Sequence, residues 1–497
     1  MSRGPRTTIA VIGAGIAGLA AAWELTGGGD QAGGPAPEVH VLEAGDRVGG
    51  KLASAEFAGR TVDLAADAFL ARRPEATELC EEVGLSAELV PVGASGASVW
   101  ARGALRMMPA GLNVGVPTRW WPLARSGILG PCESMRVARD LVTPHLGVGM
   151  SGDRSVGEIV GERLGRPVVE RLVDPLMGGI NAGGVDELSA AAAMPVLIAA
   201  SVESGSLMRR LARAGARSAG PPAGVPGGDS GPVAPAFHSL RGSTASLARG
   251  LARALEERGV TVRTGTPVEA IGRGTLSGPD AARWRLALGG AAPLDVDGVV
   301  VAVPAVEAAV LLAPHAPLAA GILSTIEYAS VAVVTFSLPS DAIGRPLWGT
   351  GFLVPRTAVI DGRPALVTGC TYLGRKWPHL DRPGDELIRA SVGRFGDERH
   401  RALDDDELRA SAFGELAELL DIRGVPLDSL VTRWDGSFPQ YRVGHLVRVA
   451  QVEQEVAALD GMAVAGAAYR GVGIPACVGS GRAAARQVLD SLARSPS

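Results

Sequence analysis

Apolar and polar positions alternate with two different periods at the start of the chain. Residues 8–12 are mostly β-branched or apolar and predict a strand, residues 17–25 have the small apolar side chains of a buried helix, and residues 39–42 predict a second strand. A glycine turn joins the first strand to the helix. The order strand, helix, strand predicts a β-α-β unit with parallel strands.

The same patterns predict further elements along the chain. Apolar residues at helical spacing predict helices at residues 74–83, 156–164, 247–258, 385–395, 406–420 and 479–489. Short apolar runs predict strands at residues 261–263, 299–303, 331–338, 366–370 and 462–465. We expect the strands at 299–303, 331–338 and 366–370 to belong to a second sheet.

One internal segment has the composition of a loop. Between residues 214 and 236, eleven of 23 residues are Gly or Pro and none is aromatic. Such a segment lacks the apolar surface needed to offset the entropy cost of ordering. We therefore predict a flexible loop, inserted within a domain.

The length and composition indicate a folded enzyme of several domains. A chain of 497 residues exceeds the roughly 250–300 residues at which a single core stops growing. The sequence is 46% hydrophobic and 20% charged, which is typical of a soluble globular protein. The formal net charge of −4 and the lack of a basic cluster argue against nucleic acid as a partner.

Cysteine spacing and hydropathy argue against two further classes. The four cysteines form no C-x-x-C pair, so we expect neither a zinc site nor a redox dithiol, and no metal. The longest uncharged apolar stretch, residues 188–200, is shorter than the roughly 20 residues that span a bilayer. No leader precedes the first strand, so we expect a cytoplasmic protein without a transmembrane segment.

A glycine motif lies between the first strand and the first helix. Gly13, Gly15 and Gly18 form G-x-G-x-x-G in the context that this motif requires. Gly13 allows a tight turn, Gly15 a close approach to a pyrophosphate, and Gly18 the packing of helix on strand. The N–H groups at the helix start, including Ile16 and Ala17, favour phosphate binding. These features predict a dinucleotide site.

The second half of this site favours a flavin. Glu43 ends the second strand, where its carboxylate can accept hydrogen bonds from both hydroxyls of a ribose. A second glycine-containing stretch follows and extends the pyrophosphate cradle through Ala44, Arg47, Gly50 and Lys51. Nicotinamide enzymes rarely carry such a stretch. We therefore predict FAD as the cofactor.

These residues resemble the FAD site of the monoamine-oxidase-like flavoprotein superfamily. The resemblance extends to residues 62–69, 266–269, 464–466 and 472–475. It implies cofactor contacts from Ala65, Ala66, Asp67, Ala68, Val268, Val472, Gly473 and Ile474. Ala65 stands where the family usually has glycine, which puts the local backbone path in question but not the assignment.

Within this superfamily the whole chain resembles the protoporphyrinogen and coproporphyrinogen oxidases of haem biosynthesis. The most specific stretches are residues 68–74, 174–180 and 438–445. The resemblance implies an α/β and α+β fold with three domains. These are a Rossmann-like FAD-binding domain of residues 1–70, 237–300 and 430–497, a mixed-sheet substrate-binding domain of residues 71–105 and 301–429, and a helical domain of residues 106–213.

The resemblance also implies a reaction. A porphyrinogen would be oxidised in three two-electron rounds, with dioxygen as acceptor and hydrogen peroxide as product. Coproporphyrinogen III is favoured as substrate, with protoporphyrinogen IX as the alternative. We also expect a transient contact with the next enzyme of the haem pathway. For peripheral membrane contact the candidates are Trp100, Met107, Met108, Trp120 and Trp121, although core packing is the favoured interpretation.

No side chain is identified as a catalytic base, since pyrrole protons can leave once the ring is oxidised. Arg73 is the first candidate for binding a propionate, because a guanidinium holds a carboxylate through two hydrogen bonds. Trp434 and Tyr441 stand where the family places residues near the isoalloxazine. A solvated surface position is favoured for three other cations, Arg72, Arg375 and Lys376.

Two other classes stay open. An amine oxidase would usually need a cage of paired tyrosines, and this chain has only four tyrosines. Such enzymes often also attach their flavin to a cysteine near the C-terminus, where Cys477 lies. A non-enzymatic flavin-containing porphyrin carrier is the other alternative, and oxygen consumption with substrate separates it from an oxidase.

Overall fold

The computed structural model describes residues 7–27, 37–142, 152–202, 204–218, 235–274 and 282–494. The chain divides into two compact units, each assembled from separate stretches. The first unit consists of Met1–Pro91, Ala236–Glu327 and Leu446–Ser497, and the second of Val92–Pro235 and Tyr328–His445.

Strands and helices are numbered in chain order. The strands are β1 Thr8–Ile12, β2 Glu38–Leu42, β3 Ser54–Phe57, β4 Arg60–Asp63, β5 Phe69–Leu70, β6 Leu89–Pro91, β7 Ser98–Ala101, β8 Ala104–Met107, β9 Leu112–Asn113, β10 Val116–Pro117, β11 Phe237–Leu240, β12 Thr261–Arg263, β13 Val268–Arg273, β14 Trp284–Leu288, β15 Leu294–Val296, β16 Gly298–Val301, β17 Tyr328–Pro339, β18 Gly351–Leu353, β19 Val359–Ile360, β20 Arg363–Pro364, β21 Val367–Tyr372, β22 Asp385–Val392, β23 Asp428–Pro439 and β24 Met462–Val464. The helices are α1 Ile16–Leu25, α2 Pro74–Glu82, α3 Trp120–Arg125, α4 Pro131–Val142, α5 Val156–Leu164, α6 Arg166–Val168, α7 Asp174–Asn181, α8 Ala190–Ala193, α9 Pro195–Val202, α10 Leu207–Ser218, α11 Ala245–Glu257, α12 Ala305–Leu312, α13 Pro317–Ser324, α14 Leu373–Lys376, α15 Asp405–Leu420, α16 His445–Ala457 and α17 Ile474–Arg494.

A five-stranded parallel sheet in the order β12-β2-β1-β16-β24 forms the centre of the first unit. Strands β1 and β16 are buried along nearly their whole length, which is why they read as continuous apolar runs. Helix α1 contacts the sheet, α11 and α17, and its small side chains let these elements approach closely. The predicted β-α-β unit is confirmed.

One strand lies in a different sheet from the one predicted. The run at residues 299–303 was expected in the second sheet, but β16 pairs with β1 on one side and with β24 on the other. A fully buried parallel strand carries no alternating pattern, so its sequence does not indicate which sheet it joins.

A mixed seven-stranded sheet in the order β23-β17-β22-β21-β18-β7-β8 forms the centre of the second unit. Its strands are antiparallel except for the β18–β7 pair. Helix α15 packs on this sheet through Leu408, Ala412 and Leu416, which are fully buried. Helix α15 begins with a capping box between Asp404 and Glu407, so the acidic residues here mark the start of the helix.

The helix predicted at residues 385–395 is wrong, because this segment forms strand β22. It pairs with β17 on one side and with β21 on the other, so it is a central strand of the sheet. Central strands are buried on both faces, and a short apolar run of this kind is not distinguished from a helix by its period. Pairing with two neighbours decided the outcome.

The predicted loop at residues 214–236 is also wrong at its start. Helix α10 continues to Ser218, five residues into the predicted loop, and Pro235 and Ala236 lie just before β11. Residues 219–234 lie outside the described residues. The low apolar content therefore did not prevent helix formation over residues 214–218.

The two compact units cross the predicted domain boundaries at three places. Residues 71–91 and 301–327 lie in the first unit, and residues 430–445 lie in the second. The finer division into three domains stays a prediction. No helix in the described ranges is long and apolar enough to cross a membrane.

Candidate functional site

The carboxyl ends of five parallel strands meet at one edge of the first unit's sheet. Because all five strands run the same way, the loops that follow β1, β2, β12, β16 and β24 lie along this edge. In open parallel sheets, ligands bind outside the carboxyl ends of the strands. The predicted cofactor residues of the first unit lie mostly in these loops, so this edge is the candidate site.

The glycine turn after β1 has the geometry expected of a phosphate-binding turn. Gly13 has a φ of 101°, and a Cβ there would lie 2.7 Å from the carbonyl oxygen of Ala302. A Cβ at Gly18 would collide with the carbonyl oxygen of Gly13. At Gly15, by contrast, a Cβ would meet nothing within 4 Å. Gly13 and Gly18 are thus required for packing, whereas Gly15 leaves open space beside the turn.

Helix α1 begins at this turn with free donors. Its N-cap residue is Gly15, and no side chain caps the helix. The first N–H groups of a helix, here those of Ile16, Ala17 and Gly18, have no intrahelical acceptor. They lie at the positive end of the helix dipole. The turn can therefore hold a pyrophosphate in the open space at Gly15.

Glu43 is held rigidly at the end of β2. Its Oε2 accepts a hydrogen bond of 2.8 Å from the backbone N–H of Ala14, and its Oε1 accepts one of 2.8 Å from Gly45. The carboxylate is half-buried, and each oxygen keeps a further lone pair. It can accept hydrogen bonds from ribose hydroxyls in the position that the sequence predicted.

The second glycine stretch folds back onto the first. The backbone N–H of Gly49 donates to the carbonyl of Ala14 at 2.8 Å, and a Cβ at Gly50 would lie 3.3 Å from the Cα of Gly15. Arg47 bends over this stretch and donates to the carbonyl of Gly50 at 2.8 Å. The two glycine stretches thus form one cradle, with the exposed Ala44 at its rim.

Lys51 follows this cradle and lies among buried groups. Burial lowers the pKa of its ammonium group, and nearby Cys477 and Glu307 oppose that fall. Burial raises the pKa of the Cys477 thiol to about 11, and Lys51 opposes this rise. Cys477 is therefore a neutral thiol near neutral pH, in contact with the carbonyl oxygens of Gly471 and Val472.

Residues 65–68 form a loop that is fixed by a neighbouring helix. The hydroxyl of Thr244, at the start of α11, donates to a carboxylate oxygen of Asp63 and contacts the carbonyl of Ala66, both at 2.7 Å. Asp67 is buried, Ala65 and Ala68 are half-buried, and Ala66 is exposed. The loop therefore has a fixed backbone path despite the alanine at position 65.

A second helix start, that of α17, lies near the first. Val472 and Gly473 precede the helix, and Ile474 begins it. At Gly481 a Cβ would collide with the carbonyl oxygen of Ala17, so α17 packs directly on the backbone of α1. The structure thus brings residues 472–474 to the unit that holds the glycine turn. Val268, at the start of β13, lies in the same unit, in the segment that follows β12.

The two predicted aromatic residues lie in the second unit. Trp434 is half-buried on β23, opposite Val331 of β17. Tyr441 is 3% exposed and stacks on His445, with ring centroids 4.0 Å apart. Their predicted places beside a flavin stay predictions.

Arg73 precedes helix α2 in the first unit and already has a carboxylate partner. Its Nη2 lies 2.6 Å from Oε1 of Glu75, and its Nε lies 3.1 Å from the same oxygen. About half of its side chain is exposed. A propionate at Arg73 would share the guanidinium with Glu75, so its predicted role stays a prediction.

Sequence reasoning missed two features. The loop after β16 brings Ala302 against the glycine turn. This contact can be predicted only when β16 is assigned to the parallel sheet. In the second unit, Arg375 lines a surface cavity of about 550 Å³ together with Trp348 and Asp381. Neither feature has a local sequence signal, because each depends on segments that are distant along the chain.

Comparison with known proteins identifies the family. The model of the family "Flavin containing amine oxidoreductase" matches residues 16–489. The coproporphyrinogen III oxidase of Propionibacterium freudenreichii is 34% identical over 514 residues, which covers 98% of this chain and 92% of that protein. Proteins of the same name from several other bacteria also match.

Two further matches carry a related name. The protoporphyrinogen oxidase of Bos taurus is 30% identical over 509 residues, which covers 97% of this chain and 98% of that protein. A crystal structure from Exiguobacterium sp. 255-15, described there only provisionally as a protoporphyrinogen oxidase, superposes with a TM-score of 0.83 at 30% identity, covering 99% of this chain and all of that one. The chain therefore belongs to the flavin-containing amine oxidoreductase family and, within it, to the family of the protoporphyrinogen and coproporphyrinogen III oxidases.

Proposed function

We propose that this chain oxidises coproporphyrinogen III to coproporphyrin III, with FAD as its flavin and dioxygen as the electron acceptor. The observation that supports this most is the similarity to a coproporphyrinogen III oxidase along 98% of the chain, because it includes both units. The cradle at the carboxyl edge of the parallel sheet gives the reaction a place for a flavin dinucleotide.

The reaction removes six electrons and six hydrogens from each macrocycle. FAD, which the cradle around Gly15, Glu43 and Gly50 would hold, would supply two-electron oxidation, so the conversion would need three rounds. One dioxygen per round is reduced to hydrogen peroxide, so three of each balance the conversion. The protein's part is to hold the ring edge in place and to exclude competing reactions.

Residues of the first unit support FAD over FMN. A second phosphate and an adenosine need a cradle longer than one turn, and the interlocked stretches around Gly15 and Gly50 supply it. Glu43 is positioned to accept from the ribose of an adenosine. Val268 would hold the adenine through its backbone, and Lys51 would lie beside the buried part of the cofactor.

Protoporphyrinogen IX is the second candidate substrate, because two of the matching proteins carry that name. Their identity of 30% is close to the 34% of the coproporphyrinogen III oxidase, so overall identity does not decide between the two substrates. The substrates differ in charge, since coproporphyrinogen has four propionates and protoporphyrinogen two. Arg73 would bind one propionate, and Tyr441 would contribute to the ring pocket.

We also propose a peripheral membrane contact and a transient contact with the next enzyme of the haem pathway, both for a cytoplasmic protein. Trp121 and Met107 are exposed by 59% and 61%, and they supply the apolar surface that either contact needs. Trp120 is tied down by a hydrogen bond to the carbonyl of Ser134, and Trp100 packs on the core of the sheet. Pelleting with anionic vesicles tests the membrane contact.

The test of the main proposal is an activity assay on both porphyrinogens. Porphyrin fluorescence and oxygen uptake are followed together, and the flavin released on denaturation is identified by chromatography. We expect FAD, three molecules of oxygen per coproporphyrin, and a higher kcat/KM for coproporphyrinogen III. Because porphyrinogens also oxidise without an enzyme, a reaction without protein and one with flavin-stripped wild type set the background. Released FMN, rates equal to that background, or a preference for protoporphyrinogen IX would contradict the proposal.

A further inference from the structure

A buried cation of the second unit has no hydrogen-bonded or ion-paired side-chain partner among the residues that the structure describes. Arg394 follows strand β22 and is only 6% exposed. Its Nε is buried without a hydrogen-bond acceptor, and among the described residues no carboxylate lies within ion-pair distance of its guanidinium. Buried charges in proteins are normally paired and hydrogen-bonded, because an unpaired one is costly.

Two other arginines of the described chain show that this is unusual. Arg60 and Arg389 are as deeply buried as Arg394, at 4% and 6% exposure. Each of them has an interaction partner, although its Nε, like that of Arg394, is buried without an acceptor. Burial alone therefore does not explain why Arg394 lacks one.

The surroundings of Arg394 are short of negative charge. Arg356 lies nearby, and its Nε is 3.9 Å from Oδ2 of Asp174. The other oxygen of Asp174 accepts a hydrogen bond of 3.2 Å from the backbone of Val185. Asp397 is already paired with Arg399 at 2.8 Å. The negative charge of Asp174 is therefore shared by the guanidinium groups of Arg356 and Arg394. One of these two positive charges is left uncompensated.

The backbone around this cluster is well anchored. The N–H of Phe395 donates to the carbonyl of Ala182 at 2.6 Å, at the end of helix α7. Arg356 donates to the carbonyl of Phe395 at 3.4 Å. Burial lowers the pKa of Arg394, and the neighbouring Arg356 lowers it further. The cluster is therefore held in place while the two cations repel each other.

We propose that Arg394 and Arg356 form a carboxylate-binding subsite, and that a propionate of the substrate occupies it. The identity of the occupant rests on the proposed function, whereas the subsite does not. A single carboxylate would neutralise the one uncompensated charge. It would also supply the acceptor that Nε of Arg394 lacks, since a guanidinium holds a carboxylate through parallel hydrogen bonds. Coproporphyrinogen has two more propionates than protoporphyrinogen, so this subsite favours the former.

The experiment measures binding to the flavin-loaded enzyme without turnover. The probes are coproporphyrin III, protoporphyrin IX and free propionate, and the readouts are the Kd and the ligand-induced rise in Tm. The variants are Arg394→Met, which has similar length without charge, Arg394→Lys and Arg356→Met. The control is Arg409→Met, on α15, where Arg409 is half-exposed and paired with Asp406.

We expect Arg394→Met to raise the Kd for coproporphyrin III by about ten- to a hundredfold and to change that for protoporphyrin IX much less. Arg394→Lys should lie between Arg394→Met and the wild type, and Arg356→Met should act in the same direction. Without ligand, the Tm of Arg394→Met should stay or rise, because an uncompensated buried charge is removed. Arg409→Met should bind like the wild type.

Two results would overturn the subsite, and a third would show that the substrate is not its occupant. An unchanged Kd for coproporphyrin III, with no propionate-induced rise in Tm, overturns the subsite. The subsite is also overturned if Arg394→Met has a much lower Tm than the wild type and Arg394→Lys does not. That result would assign a structural role to the charge of Arg394. If free propionate stabilises only the proteins with Arg394 but porphyrin binding is unchanged, the subsite stands and the substrate is not its occupant. If the wild-type protein does not oxidise coproporphyrinogen III, the proposed function is contradicted but the subsite is not.

Discussion

Gly15 and Gly18 lie three residues apart in one turn, yet the structure gives them opposite roles. A methyl group at Gly18 would collide with the carbonyl oxygen of Gly13, which is backbone and cannot rotate away. A methyl group at Gly15 would meet nothing within 4 Å, and its backbone, at φ −68° and ψ 171°, suits any residue. Alanine at each position therefore separates folding from flavin binding.

The magnitudes follow from these contacts. For Gly18→Ala, relief requires helix α1 to move away from β1, but α17 packs directly on the backbone of α1 through Gly481. Overpacking usually costs about 1–3 kcal/mol, and a collision with backbone in a helix that also contacts α11 and α17 belongs at the upper end. At about 2–4 °C per kcal/mol, Tm should fall by roughly 6–12 °C. For Gly15→Ala, the free energy of unfolding should change by less than about 0.5 kcal/mol.

Flavin binding should show the reverse contrast. The methyl group of Gly15→Ala would fill the space into which a pyrophosphate must come. The purified variant should therefore contain little flavin, while its unfolding midpoint in the absence of added flavin matches that of the wild type stripped of flavin. Gly321→Ala is the control, because Gly321 also has open space around it and lies in helix α13 of the same unit.

The assay combines absorbance of bound flavin with urea unfolding of flavin-free protein. Wild-type flavin content in Gly15→Ala would refute the position assigned to the pyrophosphate. A wild-type unfolding midpoint in Gly18→Ala would refute the packing argument, because the collision would then have been relieved at no cost. Gly321→Ala should keep its flavin and gain up to about 1 kcal/mol, as expected for alanine in an exposed helix.

Two further predictions concern single side chains. Arg73→Ala should lower kcat/KM for coproporphyrinogen by about tenfold or somewhat more, since a charge-assisted hydrogen bond contributes about 1.5–3 kcal/mol. Its flavin content should not change, and Arg73→Lys should have a kcat/KM between those of Arg73→Ala and the wild type. Wild-type kinetics in Arg73→Ala would show that Arg73 binds no propionate. Burial raises the pKa of the Cys477 thiol to about 11, so iodoacetamide at pH 8 should label the exposed Cys132 and leave Cys477 unlabelled in the folded protein. Mass analysis of peptides measures the labelling of each cysteine. Rapid labelling of Cys477 would contradict its burial.

Local patterns predicted the elements that carry local signals. Strand β1 and helix α5 have the predicted bounds, because each has a clear period and a clear start. Helix α17 begins at Ile474, five residues before its predicted start, since the glycines there suggested a turn although Pro475 suits the first turn of a helix. The glycine motif is local only in part: Gly18 meets the carbonyl of Gly13 within the same turn, whereas Gly13 meets the distant Ala302.

Features that depend on distant pairing were not readable. Strand β22 was predicted as a helix because its neighbours in the sheet are contributed by segments about 20 and 50 residues away. The same holds for charges. The chain has 48 basic and 52 acidic residues, and this near balance gives no sign that one arginine lacks a partner. Only the folded positions of Arg356, Asp174 and Arg394 reveal where positive charge is left over.

This difference in pairing ranks the two arginines as determinants of substrate choice. Arg73 already shares its guanidinium with Glu75, and a half-exposed pair of this kind contributes up to about 1 kcal/mol. A propionate at Arg73 must compete with Glu75, which weakens its binding by up to roughly fivefold at 1.36 kcal/mol per factor of ten. At Arg394 no carboxylate of the described ranges is ion-paired with the guanidinium, so none has to be displaced. The preference for coproporphyrinogen over protoporphyrinogen should therefore depend more on Arg394 than on Arg73. Of these two arginines, only Arg73 lies in a stretch, residues 68–74, whose sequence resembles the family.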